Sequence, residues 1–334
     1  MNDLGNALIE VANPGIANSF QDLGRIGYRG MGLAVSGCLD PLTARCANAL
    51  VGNPPACAVI EVRARGPILA VKQDPVRMVI AGPLTAKLIR TDGSQHDVAP
   101  WRSVTLDVGE RLQVGVLTGK TAYIAVSGGF ATPVQLGSRS LYQRAGIGVA
   151  ITKGLEIPCA GVSDGDKEFS APPWSHDDGP IRVMLGPQDD HFKAESVAAF
   201  LANAYTATEA RDRMGMRLQG VALAHATPAA ADITSDGVVP GAVQVPANGQ
   251  PIILLADCQT VGGYPKIATV ISADLPRLAQ VKPGETIGFA AVGLVEAKQA
   301  LTALEARWKQ WAGHIIDESA ATDTDDESDL FQPI

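Results

Sequence analysis

Cysteine, histidine and aromatic residues are scarce in this 334-residue chain. Its five cysteines are scattered and form no Cys-x-x-Cys pair, which argues against a zinc knuckle and against a dithiol redox site. Its five histidines include no His-x-x-x-His pair, so the sequence has no local metal-binding signature. We therefore expect this chain to bind no metal ion.

Long apolar runs and a leader pattern are also missing. No stretch of about 18 apolar residues exists that would span a membrane. Residues 1–13 have neither a basic start nor a long apolar core, so they do not look like a signal peptide. We expect a cytoplasmic protein with reduced thiols and without a membrane partner.

Basic residues are absent from the C-terminal end. The net charge is −8, but seven acidic residues lie between Asp317 and Asp329, and no lysine or arginine follows Lys309. Without those seven charges the rest of the chain carries −1, so it has no basic surplus to neutralise the phosphates of a nucleic acid. The acidic segment is typical of a disordered tail, which we place at residues 317–334.

Glycine and proline are abundant, with 35 and 22 residues, and they punctuate many short apolar runs. Eight of these runs are largely apolar, often β-branched, and predict strands. They are residues 59–63, 68–71, 76–81, 111–116, 121–126, 181–185, 252–255 and 267–271. The sequence therefore predicts a mainly β fold.

Helix signals are few. Asp40 followed by Pro41 predicts a helix that starts there and stops at residues 52–54. A second helix is predicted over residues 189–205, and the clearest over residues 294–313, whose apolar stripe includes Trp308 and Trp311. A polar stretch at residues 159–179 marks a boundary, so we expect two β-rich modules, residues 1–165 and 166–316, the second ending in the C-terminal helix.

Two catalytic motifs are approximated but fail on spacing or context. Residues 115–121 resemble a P-loop, but they have one residue too few between the glycines, and a strand rather than a helix is predicted to follow. Residues 161–165 match Gly-x-Ser-x-Gly without the helix that a nucleophile elbow needs. We interpret the first as a hairpin turn and the second as linker.

No Met-Lys-Met sequence is present, so any biotin must be carried by another chain.

Two segments combine charged residues with glycines. Residues 21–40 contain Asp22, Arg25 and Ser36 among several glycines, and the arginine fork suits a carboxylate or phosphate. The alternative is a turn-rich arm with an Asp22–Arg25 pair. Around Arg213, a neighbouring aspartate makes a structural ion pair the slightly favoured interpretation over a binding role.

The strongest candidate segment lies between residues 235 and 267. Its loop Asp257-Cys-Gln-Thr-Val-Gly-Gly-Tyr-Pro-Lys266 stands between two apolar strands. Successive backbone N–H groups of a Gly-Gly pair can hold an anion, and Lys266 adds a positive charge. The alternative is a tight turn with solvated polar tips, but loops on rigid strands commonly carry sites.

These same segments resemble the biotin-dependent carboxyltransferase-like family, which includes allophanate hydrolase subunit 2, KipA and the C subunit of 5-oxoprolinase. The similar segments are QDLGRIGYRG, VSGCLDPLTARCANALVGN, GSRS, GPQ, DRMGMRL, SDGVVPGAVQVPANGQPIILLADCQTVGGYPKIATV and DLPRLAQVKPGE. They run from about residue 9 to about residue 301. One departure is Val261, which stands where the family usually has threonine in Gln-Thr-Thr-Gly-Gly.

The resemblance implies a β-rich fold with cyclophilin-like barrels and similarity to the carboxyltransferase region of urea carboxylase. It implies a component of an ATP-hydrolysing 5-oxoprolinase, which opens 5-oxoproline to glutamate. The partners implied are an allophanate hydrolase subunit 1-like protein, the B subunit, and a LamB/YcsF-type protein, the A subunit. ATP would be shared with, or bound by, a partner. The alternatives are a biotin-dependent carboxyltransferase component and a non-catalytic regulatory subunit that antagonises a kinase inhibitor.

These considerations give a set of expected site residues. We expect Lys266, Asp257 and Gln259 to act in catalysis, because a transferring phosphoryl group needs positioned cations and donors. Substrate or phosphate binding is expected of Arg25, Asp22, Ser36, Arg213, Gln244, Thr260, Gly262, Gly263 and Tyr264. If the site is catalytic, Lys266, Gln259 and Arg25 should line one pocket, whereas separate solvent patches would favour a non-catalytic role in binding a partner.

Overall fold

Strands form most of the structure, a computed structural model that describes residues 6–162 and 167–318. The first half contains β1 (Ala7–Asn13), β2 (Ile16–Gln21), β3 (Val59–Arg65), β4 (Ile68–Gln73), β5 (Val76–Ala81), β6 (Ala86–Ile89), β7 (Gln95–Val98), β8 (Val104–Leu106), β9 (Arg111–Val114), β10 (Ala122–Val126) and β11 (Glu156–Cys159). The second half contains β12 (Phe169–Ser170), β13 (Ile181–Leu185), β14 (Tyr205–Arg211), β15 (Gly215–Gln219), β16 (Asp236–Gly237), β17 (Ala242–Gln244), β18 (Ile252–Leu254), β19 (Val261–Gly262), β20 (Lys266–Val270), β21 (Thr286–Ile287), β22 (Phe289–Ala291) and β23 (Ile316–Asp317). All eight predicted strands are present, so the prediction of a mainly β fold is confirmed.

Two antiparallel sheets pack in the N-terminal half. One has the order β11-β1-β4-β9-β6-β7 and the other β2-β3-β10-β5-β8. Alternation along β5 shows how they are held: Val76, Met78 and Ile80 enter the core between the sheets, whereas Val79 and Ala81 point to the opposite face. Because both faces of β5 are buried, five of its six residues are apolar, and Arg77 is the exception.

The helix α1 (Pro41–Leu50) covers that opposite face. The Asp40 side chain accepts a hydrogen bond from the Thr43 backbone N–H at 3.1 Å, and Pro41 occupies the first turn, where its missing N–H costs no hydrogen bond. The helix start predicted from these two residues is confirmed. The helix therefore begins where its side-chain chemistry predicts and is fixed by packing on the sheet.

One curved sheet forms the C-terminal half, with the order β21-β14-β15-β18-β17-β20-β13-β22. Neighbours are antiparallel except β13 and β22, which are parallel. The two end strands, β21 and β22, are separated in sequence by Gly288 alone, so the sheet curls into a nearly closed barrel. Val243, Ile253 and Met216 fill its interior, and the barrel character implied by the family resemblance is confirmed.

The other helices are α2 (Ala194–Ala202), α3 (Leu275–Leu278) and α4 (Leu294–Ala312). The predicted helix over residues 294–313 is confirmed, but the one over 189–205 is shorter than predicted. Residues 189–191 form a 3-10 turn, and Lys193 is extended. Tyr205 starts β14, where its fully buried ring contributes to the barrel interior, so tertiary packing overrides the helical pattern at both ends.

The helix α4 packs on the N-terminal half, not on the barrel that precedes it. Trp311 is buried beside Trp101 and Trp174, and its Nε1–H donates to the Pro172 carbonyl at 2.8 Å. Arg45 of α1 pairs with Glu305 at 2.7 Å and lies over the Trp308 ring. Pro172 and Trp174 of the boundary segment thus contact the C-terminal end of α4.

Some predictions remain open. The module limits 1–165 and 166–316 stay predictions. The acidic tail lies outside the described residues from 319 onward. Within the described part of the chain, no helix combines the length and apolarity needed to cross a membrane.

Candidate functional site

Lys266 lies on the outer face of the barrel, in an ion pair. Its side chain is only 3% exposed, and its Nζ lies 3.0 Å from Oδ2 of the half-exposed Asp236. A hydrogen bond from Lys266 holds the pKa of Asp236 below its usual value. The lysine charge is therefore already neutralised by this chain, which differs from the free point charge expected from the sequence.

Gln188 completes the surroundings of Lys266. Its side-chain Oε1 accepts from the Lys266 backbone N–H at 3.1 Å, and its own backbone N–H donates to the Lys266 carbonyl at 3.1 Å. Its Nε2 reaches Asp236 at 3.4 Å. Gln188 was not predicted as a site residue; in the sequence it belongs to the family segment GPQ, directly after the strand β13, which pairs with β20.

A short ribbon of β16 and β19 covers this outer face. Asp236 pairs with Gly262 across the ribbon, and Gln244 of β17 lies behind it, opposite Lys266 in the register of β17 and β20. A Cβ on Gly262 would stand 2.5 Å from Nε2 of Gln244, so a larger residue there would displace the Gln244 amide. Gly263 accepts from the Ile233 N–H through its carbonyl. Gly262 therefore allows the ribbon to lie close to Gln244.

Three predicted residues line one cavity of about 570 Å³ on the barrel, which we call the sheet cavity. They are Gln244, Gln259 and Tyr264. Its other walls come from β14, the β14–β15 turn, β15 and β18: Glu209, Ala210, Arg211, Asp212, Met214, Gly215, Arg217, Ile252 and Leu254. This volume lies within the range of about 300–1,000 Å³ that is usual for small-molecule sites.

The expected pocket shared by Lys266, Gln259 and Arg25 is not formed. Lys266 points to Asp236, and neither Lys266 nor Arg25 lines the sheet cavity. Arg25 is 1% exposed and donates to the carbonyls of Gln135 and Ser140, so its fork is used to hold the N-terminal arm. This correction follows from burial, because a guanidinium in the interior takes local oxygens as acceptors; Nε and Nη2 find them, whereas Nη1 has no partner among the described residues.

Asp22 and Ser36 belong to the same arm. The Asp22 carboxylate accepts from the hydroxyls of Ser138 and Ser140, both at 2.6 Å, and from backbone N–H groups. It forms no ion pair with Arg25, so the alternative interpretation of that pair is also wrong. Ser36 has a left-handed backbone, with φ of 56°, and its buried Oγ has no partner among the described residues.

Arg213 and Asp257 form a buried network between the two halves of the molecule. Arg213 donates from Nε and Nη2 to Asp257 at 2.8 and 3.0 Å, and from Nη1 to Glu61 at 2.5 Å. Although burial opposes its charge, these two carboxylates raise the pKa of Arg213. The favoured interpretation of a structural ion pair is correct in kind, but the partners are distant in sequence and not Asp212.

Glu61 extends the network into the N-terminal half. Its Oε2 accepts from the Leu39 N–H at 2.8 Å and from the Tyr123 hydroxyl at 2.9 Å. Glu61 was not predicted from the sequence, although a single carboxylate among the apolar residues at the start of β3 is a visible signal. A fully buried charge of this kind requires a partner, and that partner is Arg213.

Arg29, rather than Arg25, contacts the predicted loop. Its Nη2 donates to the carbonyls of Gln259, at 3.2 Å, and Val238. Thr260 accepts from the Val238 N–H and lines a cavity with Arg29. Cys258 beneath them is fully buried, and burial raises the pKa of its thiol, so it is an unreactive core residue.

The rejected motifs agree with the structure where it describes them. Residues 115–121 connect β9 to β10 without a helix, so no P-loop is formed. The Gly-x-Ser-x-Gly match lies partly in 163–166, outside the described residues. Among the residues described, no group of three or more potential ligands could hold a metal ion.

Comparison with known proteins places the chain in a family. Residues 31–291 match the family described as carboxyltransferase domain, subdomain A and B. A protein from Haemophilus influenzae, named as the C subunit of 5-oxoprolinase, is 36% identical over 300 residues, covering 87% of this chain and 93% of that protein. Its namesake from Escherichia coli is 31% identical over 319 residues, covering 93% and 100%.

The fold has solved relatives as well. The structure of the K. lactis urea amidolyase aligns with a TM-score of 0.79 at 25% identity, covering 92% of this chain and 20% of that one. This chain thus spans about a fifth of that larger enzyme. The resemblance seen in the sequence is confirmed: the chain belongs to the carboxyltransferase domain family, subdomains A and B, whose bacterial members include proteins named as the C subunit of 5-oxoprolinase.

Proposed function

We propose that this chain is the C subunit of a 5-oxoprolinase-type enzyme, which opens the lactam ring of 5-oxoproline to glutamate with ATP hydrolysis. The proposal is supported by similarity over 93% and 100% of the length of two relatives with that name. The partners would be an allophanate hydrolase subunit 1-like protein as the B subunit and a LamB/YcsF-type protein as the A subunit. The enzyme would act in the cytoplasm.

The sheet cavity is the observation that carries this proposal. Gln244 and Gln259 bring amide groups to it, and a primary amide can both donate to a lactam carbonyl and accept from a lactam N–H. Arg217 brings a guanidinium, which matches the carboxylate of 5-oxoproline. Since these residues stand on or beside barrel strands, the three groups are held at fixed separations.

ATP would be bound mainly by a partner chain. Lys266, the expected phosphate ligand, is buried against Asp236 and does not line the sheet cavity. Asp257, expected to act in catalysis, is held by Arg213. In this proposal the chain supplies the lactam site, with Lys266 and Asp257 shaping its supporting loop, and the partner supplies the nucleotide.

The test is reconstitution. The chain is co-expressed with the neighbouring A- and B-type proteins, and glutamate formation from 5-oxoproline is followed with and without ATP. We expect ATP-dependent turnover, and a KM raised roughly 10- to 100-fold by Arg217→Met, the value of a hydrogen bond to a charged group. Arg65→Met, which removes an exposed arginine elsewhere, is the matched control. Absence of turnover in an assembled complex would refute the proposal.

A biotin-dependent carboxyltransferase is the second candidate, favoured by the family description and by the urea amidolyase fold. Biotin would have to arrive on another chain. Transfer of labelled carboxylate from a carboxybiotin carrier to urea, in place of glutamate formation, would identify this activity.

A further inference from the structure

A second cavity, of about 380 Å³, lies where the two halves of the molecule meet. Four segments form it: the end of β3, the β9–β10 connection, the end of β14 and the turn before β21. Each contributes one cation, namely Arg63, Lys120, Arg211 and Lys282, and we call this the basic cavity. Glu209 is the one carboxylate in its lining, and it is exposed.

Three of the four cations form no ion pair within the described residues. In the described parts of the chain, the side chains of Arg63, Lys120 and Lys282 have no hydrogen bond or ion pair. Gathering like charges costs free energy through Coulomb repulsion, and burial increases that cost. Arg63 and Lys120 are half-buried, so solvent screens them only in part.

Arg211 is the fixed member of the group. Its guanidinium donates to the carbonyls of Gly119 at 3.2 Å, Leu278 at 2.9 Å and Val281. These neutral oxygens orient the guanidinium without cancelling its charge. Burial, with repulsion from Arg63 next in size, lowers the pKa of Arg211 to about 10. Burial and the like charge of Arg63 thus outweigh the attraction of the carboxylates Glu61 and Glu285 at this guanidinium.

The walls of the basic cavity are closely fitted. Gly119 has a left-handed backbone, with φ of 69°, and a Cβ there would stand 2.8 Å from Cδ of Pro283. The Thr121 hydroxyl is buried and donates to the Ala279 carbonyl at 3.1 Å. The cations are therefore carried by segments that both halves of the molecule hold in place.

We propose that the basic cavity binds a small oxyanion of the phosphate class, with Arg63, Lys120 and Lys282 as its ligands and Arg211 as the fixed charge behind them. An anion there would relieve the repulsion among four cations and join the two halves. This inference goes beyond the lactam proposal and does not depend on it. Arg211 and Glu209 also line the sheet cavity, so a bound anion would stand beside the proposed lactam site.

Calorimetric titration of the full chain with inorganic phosphate, at constant ionic strength, tests the proposal. We expect saturable binding of one phosphate per chain, weakened at least tenfold in Lys120→Gln and further in the Arg63→Gln, Lys120→Gln double variant. The control pair Arg65→Gln, Lys153→Gln removes the same charge from exposed positions outside the cavity. Equal weakening in the control pair, or no saturable binding, would overturn the proposal.

Competition between ATP and phosphate shows whether the site binds the phosphoryl group of a nucleotide or free phosphate. If ATP displaces phosphate, the site takes the phosphoryl group of a nucleotide, and if ATP does not, the site takes free phosphate. Either result supports the site. Lys282→Gln, at an exposed turn, is a third variant that keeps the test valid if the double variant unfolds, and it too should weaken binding. The titration measures phosphate binding without turnover. A negative titration therefore contradicts the phosphate site and leaves the proposed lactam activity to its own assay.

Discussion

The guanidinium of Arg213 lies 2.5 Å from Glu61, a carboxylate 152 positions away in the sequence, and the same guanidinium makes two hydrogen bonds to Asp257. Arg213 leaves the barrel at the β14–β15 turn, and Glu61 lies in the N-terminal sheet. One side chain thus joins the predicted loop that begins at Asp257 to the core of the other half.

Arg213→Ala is expected to destabilise the protein strongly. It leaves two buried carboxylates without their cation, and breaking a buried pair in this way costs about 3–5 kcal/mol. Urea unfolding measures the change. Arg217→Ala, an exposed arginine on β15, should change the free energy of unfolding by less than about 0.5 kcal/mol. An equal loss of unfolding free energy in both variants would show that the buried network contributes no more to stability than an exposed arginine does.

Lys266→Met is expected to separate stability from function. Methionine fills a similar volume, and the half-exposed Asp236 can regain water, so the free energy of unfolding should change by less than about 1.5 kcal/mol. If the lysine supports the proposed site, turnover of the reconstituted complex should fall by about tenfold or more. Both quantities are measured on one preparation. Methionine is preferred to alanine here, since Lys266→Ala would open a cavity beneath the ribbon.

The matched control is Lys87→Met, an exposed lysine on β6. It should leave both turnover and unfolding close to the wild type. Full turnover in Lys266→Met would show that Lys266 has a structural role only.

Asp22 is expected to make stability depend on pH below about pH 4. Burial opposes its ionisation, but hydrogen bonds from Ser138, Ser140 and two backbone N–H groups outweigh burial and lower its pKa. Since the unfolded-state pKa of about 3.9 is higher, the carboxylate stabilises the fold fully above that value. The stabilisation is lost as the pH falls through the lower, folded-state pKa.

Urea unfolding from about pH 6 to about pH 3 measures this dependence. Asp22→Asn should lose about 1–3 kcal/mol at the higher pH, because a buried set of donors loses its acceptor, and should show a shallower acid slope. Asp97→Asn, an exposed aspartate on β7, should keep the wild-type slope. An unchanged slope in Asp22→Asn would assign the acid sensitivity to other carboxylates.

Trp311→Ala is expected to detach α4 from the N-terminal half. Removing a buried tryptophan from this aromatic cluster costs about 3–5 kcal/mol of unfolding free energy. Leu301→Ala, on the same helix but 42% exposed, should cost far less. Thermal unfolding followed by tryptophan fluorescence measures both. Equal effects would mean that the helix is held along its whole length rather than at its C-terminal end.

Local signals in the sequence predicted most of the fold. The apolar run of β5, the Asp40–Pro41 start of α1 and the stripe of α4 depend on contacts within a few residues, so their patterns can be read directly. The predicted limits of α2 were wrong because burial of the Tyr205 ring in the barrel core stabilises the fold more than extending the helix to that residue would.

The sequence by itself determined that the fold is mainly β, the positions of eight strands, the starts of α1 and α4, and the family. Only the tertiary structure decided which charges in the candidate segments are free. In the sequence, each of three cations could equally be a free ligand-binding charge: Lys266, Arg25 and Arg213. In the structure each is held by a partner 30 to 152 positions away. Burial forces such pairing, and burial depends on how the sheets pack, which no local pattern contains.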